Sequence, residues 1–216
     1  LTDVTGVQTC ALPICAGLLP PQETGLTFNS WYGKFHLEMY WWHAVHFILW
    51  NRPELVRKST EWYSHILPAA KSIARRQGFQ GVRWPKMTGP DGVDTPSDVG
   101  SYLIWQQPHI IYLSELLYRH HPDSLTTNRY RELICETAAF MADYAAIAKG
   151  NHSRHLGPWL IPAQERLPAE TTIDPPFELA YWHWGLSTAN AWRERTGLAR
   201  SSLWDSVCVH LPPLEQ

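Results

Sequence analysis

The 216-residue chain carries 18 Lys and Arg against 20 Asp and Glu, a formal net charge of -2. That balance gives no electrostatic footprint for nucleic acid or an anionic membrane surface, and the longest apolar run, "MYWWHAVHFILW", is too short to span a bilayer. Twelve Trp are the unusual feature. Large rings gather in cores and at recognition surfaces alike, so a wide helical core accounts for about half of them and a sugar site, where rings stack on C–H faces, suits the rest.

Residues 4–14, "VTGVQTCALPI", show neither the 3.6-residue nor the 2-residue period of a regular element, and they lack the basic start of a signal peptide. They back-translate into the common short-read library adapter. Residues 1–15 are therefore expected to be a non-native segment, and 16–216 the domain. Of the four Cys, this leaves Cys135 and Cys208, both among apolar residues on expected helices, where a free thiol packs as a small hydrophobe. No CxxC metal pattern or disulfide framework is present.

A Pro- and Gly-punctuated loop leads to a helix expected over Lys34–Asn51, ended by "NRP". Pro53 suits the first turn of the next helix, on which Leu55, Ser59, Trp62, Tyr63 and Ile66 form a stripe. Pro68 kinks or restarts it, and Gly78 caps "AAKSIARRQG". After a long loop over residues 79–101, a helix is expected over Leu103–His120 with Ile110, Leu113, Leu116 and Leu117 inward. Another, over Thr127–Ala148, carries Leu133, Ile134, Thr137, Phe140, Met141 and Tyr144. A second long loop, Lys149–Asp174, precedes a helix over Pro176–Gly197, and "SSLWDSVCVHL" opens one more. No run reads as a strand. The repeated order of helix, helix and long loop predicts an all-α array of antiparallel hairpins, with chemistry on the loops at one rim.

Three segments carry chemistry. "GPWLIPAQERLPAETTIDPPFELAYW" sets Glu165 and Glu170 on a loop and Glu178 at a helix start among Phe177, Leu179, Tyr181 and Trp182. A carboxyl against aromatic rings is desolvated and holds its proton more tightly, as a general acid must. "GKFHLEMYWWHAVHFILW" opens its helix with His36 and Glu38 and spaces His43 and His46 at i, i+3. That spacing suits a metal only if a third ligand joins it, and no HExxH-type motif does. "VRWPKM" and "LIWQQPH" place Trp84, Lys86, Trp105, Gln106, Gln107 and His109 where loop meets helix, and the amides offer the donors and acceptors that hydroxyl recognition needs.

Taken in order, "FHLEMYWW", "NRPELV", "LPAAKSIARRQGFQGVRWPKM", "GPWLIPAQE" and "FELAYW" resemble the catalytic domain of six-hairpin glycosidases, most closely glycoside hydrolase family 65 and its relatives. The resemblance runs from about Trp31 to Leu214. "WPKM" and "PAQE" depart from the family's usual elements. The resemblance implies part of an (α/α)6 toroid and an inverting enzyme acting on oligosaccharides or glycosides, hydrolase in preference to phosphorylase. It implies Glu165 as general acid with Glu178 second, and a sugar pocket formed by His36, Glu38, Trp84, Lys86, Trp105, Gln106, Gln107 and His109. No cofactor or metal is expected, and the general base is expected beyond Gln216. The domain is thus expected to be truncated at both ends and poorly soluble alone. The rival readings are a non-catalytic helical sugar-binding or scaffold module and a metal-dependent enzyme using His36, His43 or His46.

Overall fold

The computed structural model describes residues 34–147 and 153–214, so the adapter-like stretch lies outside the described residues. Seven helices carry the described fold, beginning with α1 (Leu37–Leu49), α2 (Glu54–His65) and α3 (Leu67–Arg76). They continue with α4 (His109–His120), α5 (Ser124–Tyr144), α6 (Pro176–Arg195) and α7 (Ser202–His210). The all-α reading holds. Four two-residue strands, which the sequence did not announce, pair as β1 (Phe35–His36) with β2 (Met87–Thr88) and β3 (Ala146–Ile147) with β4 (Arg154–His155), both antiparallel.

Element ends follow local chemistry. Asn51 takes φ 63° after α1 and Pro53 leads into α2. Pro68 restarts the chain as α3 instead of kinking a longer helix. Gly78 turns at φ 84° beyond the α3 C-cap, a conformation that costs glycine little. The Asp123 carboxylate accepts the Thr126 N–H at 2.6 Å, which starts α5 at Ser124, three residues before the expected Thr127. Its expected end, Ala148, lies outside the described residues; the helix itself stops at Tyr144. α1 opens at Leu37, not Lys34, because Phe35 and His36 are drawn into pairing with Thr88 and Met87. α4 opens at His109, not Leu103: Pro108 sits at its N-cap and residues 105–108 form a turn, with Leu103 bridging to Ile161.

Two layers result. α4 lies between α1 and α6, while α2 and α5 pack behind α4, and α7 closes on α5 and α6. The long loops enter at the N-terminal ends of α4 and α6, and the β1–β2 pair ties one of them to the start of α1. Three helix N-termini therefore share one rim, and their partial positive charge favours carboxylates there. Among the described residues Trp62, Trp84, Trp105, Trp182, Trp192 and Trp204 are buried, about half of the described Trp. Core indoles are anchored: Trp84 Nε1 donates to Thr137 Oγ1 at 2.9 Å, Trp182 Nε1 to the Met141 carbonyl at 2.8 Å, and Trp192 Nε1 to Glu115 Oε2 at 2.8 Å. On α2, Val56 is fully buried where the expected stripe had Leu55, which is half-buried. Cys135 and Cys208 are free, half-buried thiols.

Candidate active site

Lys86 is the centre of the rim. Its ammonium stands 2.5 Å from Glu165 Oε1 and 3.4 Å from Glu38 Oε2. Lys86 and Glu38 are buried, whereas the Glu165 side chain is 34% exposed. One cation thus joins a fixed carboxylate on the first turn of α1 to a second carboxylate on a loop. The backbone supports this: the Glu38 N–H donates to the Lys86 carbonyl at 3.4 Å.

The loop that carries Glu165 is tied at several levels. At its base the Asp174 N–H donates to the Leu156 carbonyl at 2.8 Å and the Leu156 N–H to Asp174 Oδ1 at 2.7 Å. His155 Nδ1 lies 2.5 Å from Asp174 Oδ2. Higher up, the Ile161 N–H donates to the Tyr102 carbonyl at 3.1 Å, and the Glu165 N–H closes a turn on the Pro162 carbonyl at 2.8 Å. Glu165 itself adopts φ 53°, a left-handed conformation uncommon outside glycine.

Glu178 works under this loop. It is fully buried on the first turn of α6, and its Oε1 accepts the Ala163 N–H at 2.7 Å. Its Oε2 has no hydrogen-bond partner among the described residues. Burial raises the carboxyl's pKa above the ordinary range, partly opposed by the Ala163 N–H.

His109, the first residue of α4, links the walls. Its Nε2 lies 3.1 Å from the Glu38 carbonyl and its Nδ1 3.0 Å from the Tyr181 hydroxyl. Burial depresses its pKa to about 3, so the ring is neutral. A carbonyl only accepts, so the ring proton sits on Nε2 and Tyr181 donates to Nδ1. His36, at the N-cap of α1, is also held neutral, its pKa lowered to about 4 by burial and then by the nearby Lys86, His43 and Lys34.

The remaining expected residues divide. Gln107 is consumed by backbone: its Oε1 accepts the Trp84 N–H at 3.0 Å and its Nε2 donates to the Trp84 carbonyl at 2.6 Å. Trp84 is fully buried, edge-on to Tyr63, so this pair forms the wall beneath the rim and offers a ligand no open face. Gln106 Nε2 donates to the Trp84 and Leu103 carbonyls at 3.1 Å, leaving Oε1 without a partner among the described residues. Trp105 packs edge-on against His109 and Phe177, and its Nε1 likewise lacks a described partner.

Trp105 and His109 open onto an apolar groove of about 330 Å³ that Trp41, Trp42, Tyr112 and Trp184 complete. The sequence reading did not single out these four rings. The signal was there: Phe177, Tyr181 and Trp184 stand at i, i+4 and i+7 on α6, and Tyr112 one turn after His109 on α4. Among the described residues no three His, Cys, Asp or Glu side chains come together as a metal site. His46 instead packs against Phe47 and edge-on to Trp50. No described helix is long and apolar enough to cross a membrane.

The protein is thus an all-α assembly of hairpins with a carboxylate–ammonium–carboxylate cluster and an aromatic groove at one rim. In structure the chain is similar to one called "Putative kojibiose phosphorylase from human microbiome", with a TM-score of 0.79 at 13% sequence identity over 100% of this chain. It spans 31% of that chain's length. At this identity the likeness is one of fold, and it agrees with a portion of an (α/α)6 toroid. No protein-family model and no curated protein matches the sequence.

Proposed function

We propose that this chain is part of a carbohydrate-active enzyme that cleaves glycosidic bonds with inversion, a hydrolase in preference to a phosphorylase, with Glu165 as general acid. The observation that carries the reading is the position of Glu165: a loop carboxyl, partly open to solvent, hydrogen-bonded to a buried lysine at the rim where the helix N-termini meet. Glu178, by contrast, is sealed from solvent and bonded to backbone.

In the arrangement described, the Lys86 contact pairs with the ionised carboxylate. To protonate a glycosidic oxygen, Glu165 must take up a proton from solvent and exchange Lys86 for the substrate, and Glu38 then keeps the ammonium paired. The neutral His109, both of its ring nitrogens engaged by the Glu38 carbonyl and the Tyr181 hydroxyl, holds the wall beside groove rings on which a sugar face stacks. The attacking water or phosphate requires a base on the opposite face, about 6.5–9.5 Å from the acid in inverting pairs.

Likeness to a kojibiose phosphorylase makes α-linked glucobioses the first substrates to try. The test is turnover of α-linked disaccharides by the full-length parent, with and without inorganic phosphate, in wild type and Glu165→Gln. Phosphate-independent cleavage that falls at least 100-fold in the variant supports the reading. Phosphate-dependent cleavage moves it to phosphorylase. Wild-type-level turnover by Glu165→Gln would overturn the assignment of the acid, and sugar binding with no turnover would favour the binding-module rival.

A further inference from the structure

A second cavity lies at the other end of α4. That helix carries His109 at its first residue and Leu117 in its last turn, so at 1.5 Å per residue the two ends are about 12–16 Å apart. The cavity, about 190 Å³, is walled by Leu117, Arg57 of α2, and Thr126, Arg129 and Tyr130 of the first two turns of α5. At roughly 30 Å³ per water in the liquid, it has room for a small ion with part of its hydration or for a phosphomonoester head.

Its polar groups are unequally satisfied. Asp123, which also lines the cavity, is occupied by the Thr126 N–H and by His121 Nδ1 at 2.9 Å. Glu61 is occupied by Arg129. Two donors are left. Arg57 has no ion-pair partner among the described residues, and the Tyr130 hydroxyl, on a side chain 2% exposed, has no hydrogen-bond partner among them. Burial raises the Tyr130 pKa against the opposing pull of Arg129 and Arg57, so the hydroxyl stays a donor at any physiological pH. A buried donor without an acceptor is destabilising, and the N-terminal end of the 21-residue α5 adds a positive dipole end to the same wall.

We infer that this cavity binds a small tetrahedral oxyanion, a phosphate or phosphomonoester, which accepts from the Tyr130 hydroxyl and pairs with Arg57. The inference does not depend on the rim being catalytic. Donor type and size select the ligand: Asp123 accepts from the Thr126 N–H and contacts His121, and Glu61 pairs with Arg129, so Arg57 and Tyr130 are the donors left over.

The experiment is calorimetric titration of the whole chain with inorganic phosphate and, separately, with a hexose phosphate, at constant ionic strength. Tyr130→Phe and Arg57→Gln are the variants. One saturable site, weakened at least tenfold in both variants, is expected. The thermal midpoint adds a readout that a purely structural role would not move: without ligand, Tyr130→Phe should melt at or above wild type, since it removes an unsatisfied hydroxyl, yet lose the phosphate-induced rise. Binding of the hexose phosphate alone, with the same dependence on Tyr130 and Arg57, supports the site and names a phosphomonoester as its occupant. No saturation by either ligand up to about 10 mM, or undiminished binding in Tyr130→Phe, overturns it.

Discussion

Glu178 holds Ala163: its Oε1 accepts the Ala163 N–H at 2.7 Å, two residues ahead of Glu165. Replacing Glu178 with Ala should cost about 1–3 kcal/mol and release the loop, and Glu178→Gln, which keeps an accepting oxygen, should cost less. The pH dependence separates them further. A buried carboxyl with a raised pKa binds its proton more tightly folded than unfolded, so its contribution is present below the unfolded value of 4.5 and is lost as pH rises through the higher folded value. Denaturant melts at pH 4 and pH 8 should therefore show Glu178→Gln gaining on wild type at the higher pH. An unchanged difference between the two would mean that the carboxyl is not held neutral by the fold.

Lys86 and Glu38 form a buried pair with little solvent to fall back on. Lys86→Met should destabilise the chain by about 3–5 kcal/mol, because it strands carboxylate charge in the rim. Adding Glu38→Gln should recover a good part of that loss. A double-mutant cycle on the unfolding free energy measures the coupling, and simple additivity of the two changes would show that the pair contributes nothing specific.

Acid should unfold this chain through its histidines. His109 and His36 are held neutral with pKa values near 3 and 4 against an ordinary 6.5. A depressed base contributes stability above its unfolded pKa and loses it as pH falls toward the folded one, so the loss begins near pH 6.5 and continues to about pH 3. For His109 the full effect is on the order of 5 kcal/mol. Equilibrium unfolding across pH 7 to 4 should show the decline, and His109→Gln should flatten it. A profile identical to wild type in that variant would place the acid sensitivity elsewhere.

Gly157 stands at the foot of the loop at φ 100°, and a Cβ added there would lie 2.4 Å from the Thr172 carbonyl oxygen. Gly157→Ala should disrupt the loop base by about 2 kcal/mol or more and displace Glu165 from Lys86. Amide exchange should then rise across residues 156–174 while that of α5 and α6 stays unchanged. Protection equal to wild type in the loop would sink this expectation.

Much of the fold was legible because the helices are long and periodic. Leu133, Ile134, Thr137, Phe140 and Met141 are all buried on α5 as their spacing foretold. Boundaries were harder. The run 103–108 carries apolar and amide residues that continue the α4 pattern, but Gln106 and Gln107 turn their side chains onto the Trp84 and Leu103 backbone and Pro108 resets the chain. Two-residue strands leave no periodic trace at all. In the candidate site, residue type drew attention to Lys86, Glu38 and Glu165, which the structure brings together, yet not to how their neighbours pack. Trp84 and Trp105 look alike in sequence, and only packing assigns Trp84, with Gln106 and Gln107 on its backbone, to the wall and Trp105 to the groove.

The clasp of Leu156, Asp174 and His155 closes the foot of the Glu165 loop onto itself. A segment fastened at its foot behaves as a cassette. Residues can be inserted or deleted near its crown with little entropic penalty, and the helices on either side keep their places. Divergence in what the rim accepts can thus accumulate in this one stretch of chain while the helical frame stays recognisable, in line with a shared fold at 13% identity.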